Sequence, residues 1–357
     1  VTGLRICLIA SSRFPVAEPF AGGLEAHTHA LATELQRRGH SVTLFAAPGS
    51  DPLLAADALQ VDAYEPSDVA RTDVGAPPLG WMQEHHAYLA LMLELGRAGG
   101  GRFDVVHNNS LHHLPVAMSG ALAVPLVTTL HTPPTPWLES AIRLTPAARF
   151  VAVSRFTAEQ WSSSTRADVI LNGVDTDRWV AGGGGADAIW FGRLVPEKAP
   201  HLAVDAARRA GMAIDLAGPA YDPEYFTREI EPRLGDGVRY LGHLGTVELA
   251  ERVGRAAVTA VTPLWDEPYG LVAAESMACG TPVAAFDRGA LAEFVSDESG
   301  RLAAPGDVAA LARAMIDAAA LPRGAVRRHA LQHCSLRTMV DQYEAMYSWL
   351  AHEVRAA

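Results

Sequence analysis

The feature that most constrains this chain is a rhythm that runs through it twice. Short β-rich apolar runs, each bounded by turn residues, alternate with segments of helical periodicity. In the first half the runs are Leu4 to Ala10, Ser41 to Ala47, Phe103 to His107, Pro125 to Leu130 and Arg149 to Ser154. In the second half they are Ala188 to Gly192, Ala213 to Ala217, Val238 to Leu241, Val258 to Thr262 and Pro282 to Phe286. Continuously apolar runs imply strands covered on both faces. Helices between them imply parallel pairing through right-handed crossovers. The expected fold is therefore α/β, with two doubly wound Rossmann-like domains, and 357 residues suffice for two cores.

The segment Leu24 to Arg38 carries Leu24, Leu31 and Leu35 at helical spacing and stops at Gly39, which completes a first β-α-β unit. Between the two halves lies Gly182 to Gly185. It precedes a strand, not a helix, so it reads as a flexible hinge instead of a phosphate loop. Near the end, Thr338 to Val354 puts Met339, Val340, Tyr343, Met346, Tyr347 and Leu350 on one helical face, which is expected to pack back across the junction, capping the second sheet alone being the simpler alternative. The expected domains are 1–172 with the C-terminal helix 338–357, and 173–337.

Charge and composition remove several function classes. A net charge of -11 disfavours nucleic acid as a partner, and the basic run Arg323 to Arg328 reads as a solvated helix start. The three cysteines, Cys7, Cys279 and Cys334, are scattered with no CxxC, which suits a reducing cytosol. Nowhere do about eighteen apolar residues run together, so no transmembrane segment is expected. Leu4 to Ala10 lacks a basic leader and reads as a strand, not a signal core. The expected location is cytoplasmic, with peripheral membrane contact compatible. The pairs His85-His86 and His112-His113 lack accompanying carboxylate or cysteine spacing, and adjacent side chains should diverge, so no metal site is expected. No GxGxxG follows the first strand, which argues against a dinucleotide-dependent dehydrogenase.

Ligands of open α/β sheets sit beyond the carboxyl ends of the strands. His131, Arg193 and Glu267 each follow a different strand run there. The richest segment, Asp266 to Pro282, reads as a loop, a helix beginning near Tyr269 or Gly270, and a glycine stop. Free amides at Gly270, Leu271 and Val272, with the helix dipole, make an anion site suited to a diphosphate. Glu275 falls on or beside the inward stripe of that helix, so it needs donors: vicinal ribose hydroxyls or a salt bridge to arginine would each serve. Arg193 and Lys198 lie five positions apart in a strand-to-helix loop and can bracket a diphosphate, the one as a rigid fork and the other as a point charge. Gly22 and Gly23 open the first helix, where they permit close approach or a tight turn.

These residues together resemble glycosyltransferase family 4, whose members are retaining enzymes of GT-B fold. The resemblance rests on Gly22-Gly23, Thr128 to His131, Ala152 to Ser154, Leu171 to Asp175, Gly192-Arg193 with Lys198, and Glu267 eight positions before Glu275. It implies a nucleotide diphosphate sugar as donor and co-substrate, with no other cofactor and no metal. Glu275 would take the ribose hydroxyls, and Glu267 and His131 would lie at the donor sugar. Arg193 and Lys198 would hold the diphosphate with the amides of Tyr269, Gly270, Leu271 and Val272, while Gly23 would reach it from the other domain. Gly242, His243 and Leu244 would line the nucleobase pocket. Tyr269 departs from the phenylalanine often found at its position. The acceptor, a small molecule, a glycan or a lipid-linked molecule, is not specified by Trp81, Trp137 or the His112-His113 region. A sugar-nucleotide epimerase and a noncatalytic sugar-nucleotide-binding protein are the alternatives on the same architecture.

Overall fold

The computed structural model describes residues 3–54 and 59–356; residues 1 and 357, expected outer bounds of the first domain and the last helix, lie outside them. The described residues form two six-stranded parallel sheets. The first has the order β2 (Ser41–Phe45), β1 (Arg5–Ile9), β3 (Val105–Asn108), β4 (Leu126–Leu130), β5 (Arg149–Ala152) and β6 (Asp168–Val169). The second has the order β12 (Gly300–Ala303), β11 (Val283–Phe286), β10 (Val258–Val261), β7 (Ala188–Phe191), β8 (Ile214–Ala217) and β9 (Val238–Tyr240).

All ten expected apolar runs hold a strand. The two strands that sequence reading missed, β6 and β12, are sheet edges. An edge strand is paired on one side only and need not be apolar throughout: β6 opens on exposed Asp168, and β12 carries Arg301. Strand order reverses between β1 and β3 in the first sheet and between β7 and β10 in the second. At such a reversal the connections leave toward opposite faces, and a crevice opens beyond the carboxyl ends.

One face of the first sheet is covered by the helices Gly23–Arg37 and Leu336–Ala356. Leu31 and Leu35 of the one and Met339, Val340, Tyr343, Tyr347 and Leu350 of the other share a core with Ile6, Leu8, Val105, Val127 and Val151. The two tyrosines bury their hydroxyls at a partner, as such groups must. Tyr343 meets Thr129 Oγ1 at 3.0 Å and Tyr347 meets His107 Nδ1 at 2.6 Å. The two chain crossings between the sheets run side by side. There the Val174 amide donates to Cys334 and the Leu336 amide to Val174. No helix among the described residues is long and apolar enough to cross a membrane.

Two expectations are corrected here. Gly182 to Gly185 is not a free hinge. The Gly182 and Gly184 amides donate to the carbonyls of Cys279 and Gly254, and a Cβ on Gly182 would stand 2.1 Å from the Gly254 oxygen. The glycines are there for close backbone approach. Nor is Arg323 to Arg328 a solvated helix start. The Arg323 guanidinium donates to the carbonyls of Gly182, Ala256, Gly254 and Cys279 and to Thr281 Oγ1, and Arg327 donates to those of Trp179 and Thr176. Several carbonyls converge there, those of Gly254 and Cys279 already taking one amide each, and a five-donor fork meets their remaining lone pairs.

Candidate functional site

A cleft of about 1230 Å³ lies between the two sheets and is lined by residues of both. The loop after β7 contributes Arg193 and Lys198, and the loop after β10 contributes Glu267 to Gly270. These strands are neighbours at the reversal point, so the two loops must face one crevice. The β7 loop is held from below. Thr262 Oγ1 donates to the carbonyls of Lys198 (2.9 Å) and Ala199 (3.0 Å) while accepting from Trp190 Nε1 (3.0 Å). Ala199 sits at φ +46°, a left-handed conformation that a non-glycine residue adopts only when its surroundings impose it.

The helix after β10 spans Leu271–Ala278, with Gly270 at its N-cap in a left-handed conformation, φ +103°. A Cβ there would stand 2.6 Å from Leu291 Cδ2, so glycine is required twice over. Among the described residues, no acceptor takes the amide protons of Gly270, Leu271 or Val272. They are the free donors of a helix start and carry its partial positive charge. The neighbouring Glu267 backbone is pinned by close contact with Gly289 and by a bond from the Ala290 amide at 2.8 Å.

One turn into this helix stands Glu275. Among the described residues its carboxylate has neither an ion pair nor a hydrogen bond, so the salt bridge to arginine weighed from sequence is not formed. Burial pushes the Glu275 carboxyl up to about 8, because no donor or cation offsets its desolvation. Glu267, by contrast, is satisfied: it pairs with Lys198 Nζ and accepts from Trp265 Nε1 at 3.1 Å. Lys198 also lies over the Trp265 ring, 4.9 Å from its centre. Arg193 is 42% exposed, and its nearest ion-pair partner, Glu197, is a loose 4.0 Å away. The buried carboxyl of Glu25, raised by desolvation, feels the Arg193 charge from across the cleft.

The opposite wall belongs to the first sheet. His131 follows β4, and its Nε2 donates to Asn109 Oδ1 at 2.9 Å, leaving Nδ1 as an acceptor. Burial first, then neighbouring His27 and His107, hold His131 well below the ordinary imidazole value, so the ring is neutral. Gly23 opens the helix Gly23–Arg37 and faces the donor-side helix closely. A Cβ on it would lie 3.1 Å from Leu271 Cδ1. The domains are also tied directly. Ser154 Oγ and Thr157 Oγ1 donate to the Pro268 carbonyl (2.6 and 3.1 Å), and the Arg155 and Phe156 amides donate to the Glu293 carboxylate (3.0 and 2.6 Å). His243 Nε2 donates to the Phe20 carbonyl at 3.0 Å.

Thus His131, Arg193, Lys198, Glu267, Gly23, His243, Leu244, Tyr269, Gly270, Leu271, Val272 and Glu275 all line one cleft. Gly242 is not among the lining residues. Its φ of +77° and its carbonyl, which accepts from the Gly218 amide at 2.8 Å, shape the turn that presents His243. The Tyr269 ring stacks on Phe294 at 4.6 Å in the core, where burial raises its hydroxyl well above the ordinary phenol value. Sequence reasoning missed Glu25, Asn109, Thr262, Trp265 and Glu293. Each acts by position across the fold, without a local motif. A last correction concerns the histidines. The rings of His112 and His113 do not diverge but stack at 4.4 Å, because His112 is the extended N-cap of a short helix that His113 begins.

Comparisons with known proteins agree over almost the whole chain. Residues 21–178 match the family description Glycosyltransferase Family 4, and residues 185–320 match Glycosyl transferases group 1. The D-inositol 3-phosphate glycosyltransferase of Geodermatophilus obscurus is 30% identical over 99% of this chain and 91% of its own length. The glycogen synthase of Mycobacterium tuberculosis is 29% identical over 91% of this chain and 88% of its own. Among solved structures, sucrose-phosphate synthase from Thermosynechococcus elongatus superposes with a TM-score of 0.75 at 21% identity, covering 97% of this chain and 99% of that one. The Anabaena protein Alr3699/HepE, in complex with UDP and glucose, gives 0.74 at 18% identity over 97% and 99%.

Proposed function

Because this chain belongs to glycosyltransferase family 4 and folds as a two-domain GT-B glycosyltransferase, we propose that it takes its sugar from a nucleotide diphosphate donor and transfers it to an acceptor hydroxyl with retention of anomeric configuration. One observation carries the reading: two cations after β7 and an open helix start after β10 face the same crevice, with an unpaired carboxyl one turn deeper. A diphosphate meets the cations and amides, and the ribose hydroxyls supply the donors that Glu275 lacks.

In the reaction, the bond from the anomeric carbon to the diphosphate oxygen breaks, and its electron pair leaves with the phosphate. Arg193, Lys198 and the amides at Gly270 to Val272 stabilise that growing charge, a set that suffices without a metal ion. The acceptor oxygen attacks from the face the phosphate is leaving, which retains configuration. Its proton passes to the departing phosphate oxygen, so no strong protein base is required. Neutral His131 and Glu267 orient the sugar, with Glu267 exchanging part of its bond to Lys198 for sugar hydroxyls. The bound UDP and glucose of the Anabaena structure agree with this donor class.

The test is a panel of nucleotide sugars followed by mass spectrometry for slow donor hydrolysis, which needs no knowledge of the acceptor. Release of free sugar and nucleoside diphosphate from one or two donors is expected. Isomerised donor with no release would instead identify an epimerase, and donor that binds without turning over would identify a binding protein.

A further inference from the structure

A second, smaller cavity of about 150 Å³, with room for one sugar ring, opens beside the donor cleft on the first domain. Ser11, Arg13 and Leu111 line both, so the two spaces adjoin. We propose that this cavity is the acceptor subsite and that the acceptor it selects is a neutral saccharide, not a phosphorylated one; the inference rests on the transferase reading above.

Its wall is aromatic. Trp137, 59% exposed, leans on Trp81 with ring centres 6.2 Å apart, and His85 and His113 stack behind them on Trp81 and Trp137. An exposed, buttressed indole offers the flat apolar face on which the C–H face of a sugar ring settles. The cavity's polar side holds a hydrogen-bond donor and an acceptor together. Arg13 binds the Glu84 carboxylate through Nε (3.0 Å to each oxygen) and one terminal nitrogen (2.8 Å). The second terminal nitrogen of Arg13 and the remaining lone pairs of Glu84 stay available to vicinal hydroxyls.

Charge decides between acceptor classes. Arg13 is the one cation on this wall among the described residues, and its charge is already matched by Glu84. Burial, helped by the adjacent imidazoles, brings His112 down to about 3, and it also lowers His113, so both are neutral. Tyr88 is raised to about 12 and stays protonated. A phosphate entering here would lose water without gaining an unpaired cation, whereas hydroxyls lose nothing they cannot recover. Three histidines crowd beside this cavity. The ligand nitrogens of His85, His112 and His113 lie within 4.8 Å of one another. However, His112 Nδ1 accepts from the Leu114 amide at 3.2 Å, which fixes the proton on Nε2. That ring presents a donor, not a lone pair.

Binding is read by tryptophan fluorescence with nucleoside diphosphate present, using glucose, maltose, sucrose and inositol against glucose 6-phosphate, sucrose 6-phosphate and inositol 3-phosphate. At least one neutral probe is expected to bind at least fivefold tighter than every phosphorylated probe, and Trp137→Ala to weaken it at least tenfold. Glu84→Gln, which frees Arg13, is expected to raise the affinity for phosphorylated probes at least fivefold. Tighter binding of a phosphorylated probe, silence of all neutral probes, retained affinity in Trp137→Ala or unmoved selectivity in Glu84→Gln overturns the proposal. Calorimetric titration of the nucleoside diphosphate on the same samples separates the failures: lost nucleotide binding to the native protein overturns the donor reading, while nucleotide binding without saccharide selectivity overturns this one alone.

Discussion

Replacing Glu275 by glutamine should stabilise the empty protein and weaken its hold on nucleotide. Burial without partners raises the carboxyl from 4.5 to about 8. At ~1.4 kcal/mol for each pKa unit, ionising it in the folded state costs at most ~5 kcal/mol. Because the side chain still reaches the cleft, about 2 kcal/mol is the working figure. A carboxyl raised on folding leaves stability intact below its unfolded value and removes it as pH rises through about 8. Glutamine has no such loss, so the melting temperatures of native and Glu275→Gln protein should diverge from pH 5 to pH 9, reaching roughly 3–6 °C in favour of the variant. Calorimetry should show the opposite trend for the nucleoside diphosphate. Hydrogen bonds to a charged group are worth ~1.5–3 kcal/mol, so affinity should fall ~10- to 100-fold. Parallel melting curves, or nucleotide affinity preserved within about twofold, would refute the assignment of an unpaired carboxyl awaiting ribose hydroxyls.

Arg193→Ala should cut kcat for donor hydrolysis ~100- to 1000-fold while KM moves only a few-fold, since the guanidinium meets charge that grows in the transition state; initial-rate kinetics decide it. Gly270→Ala should cost about 1–3 kcal/mol in denaturant unfolding, because φ is +103° and the new methyl would meet Leu291, and nucleotide affinity should fall with the displaced helix start. Acid should unfold the protein through its buried neutral histidines. His27 is lowered to about 4 and His107 to about 3, chiefly by burial. Their contribution is whole above the unfolded value near 6.5 and is lost as pH falls toward the folded values, up to ~2 kcal/mol each at pH 5. Circular-dichroism melts from pH 7 to pH 4 should show it, and His107→Gln should flatten the slope.

Both sheets could be read from the sequence because interior parallel strands are covered on both faces, and β7 and β11 are apolar throughout. The edges β6 and β12 could not, since half-paired strands tolerate Asp168 and Arg301. The donor side of the cleft was legible because its chemistry is local: two cations after one strand, and a glycine-led helix after its neighbour. The remainder depends on distances that only the fold sets. Nothing near Glu275 in the chain says that arginine will not reach it, and nothing near Gly182 says that the Gly254 carbonyl will lie against it. The stacking of His112 on His113 likewise follows from one extended residue before a helix, supported by Tyr88 and Trp137.

A crystal structure with bound nucleoside diphosphate, chosen by titrating UDP, ADP and GDP, tests the central claim most directly. Its phosphates should lie within hydrogen-bond distance of Arg193, Lys198 and the amides of Leu271 and Val272, with both ribose hydroxyls on Glu275. Phosphates bound away from that helix start, or a ribose that leaves Glu275 untouched, would contradict the account.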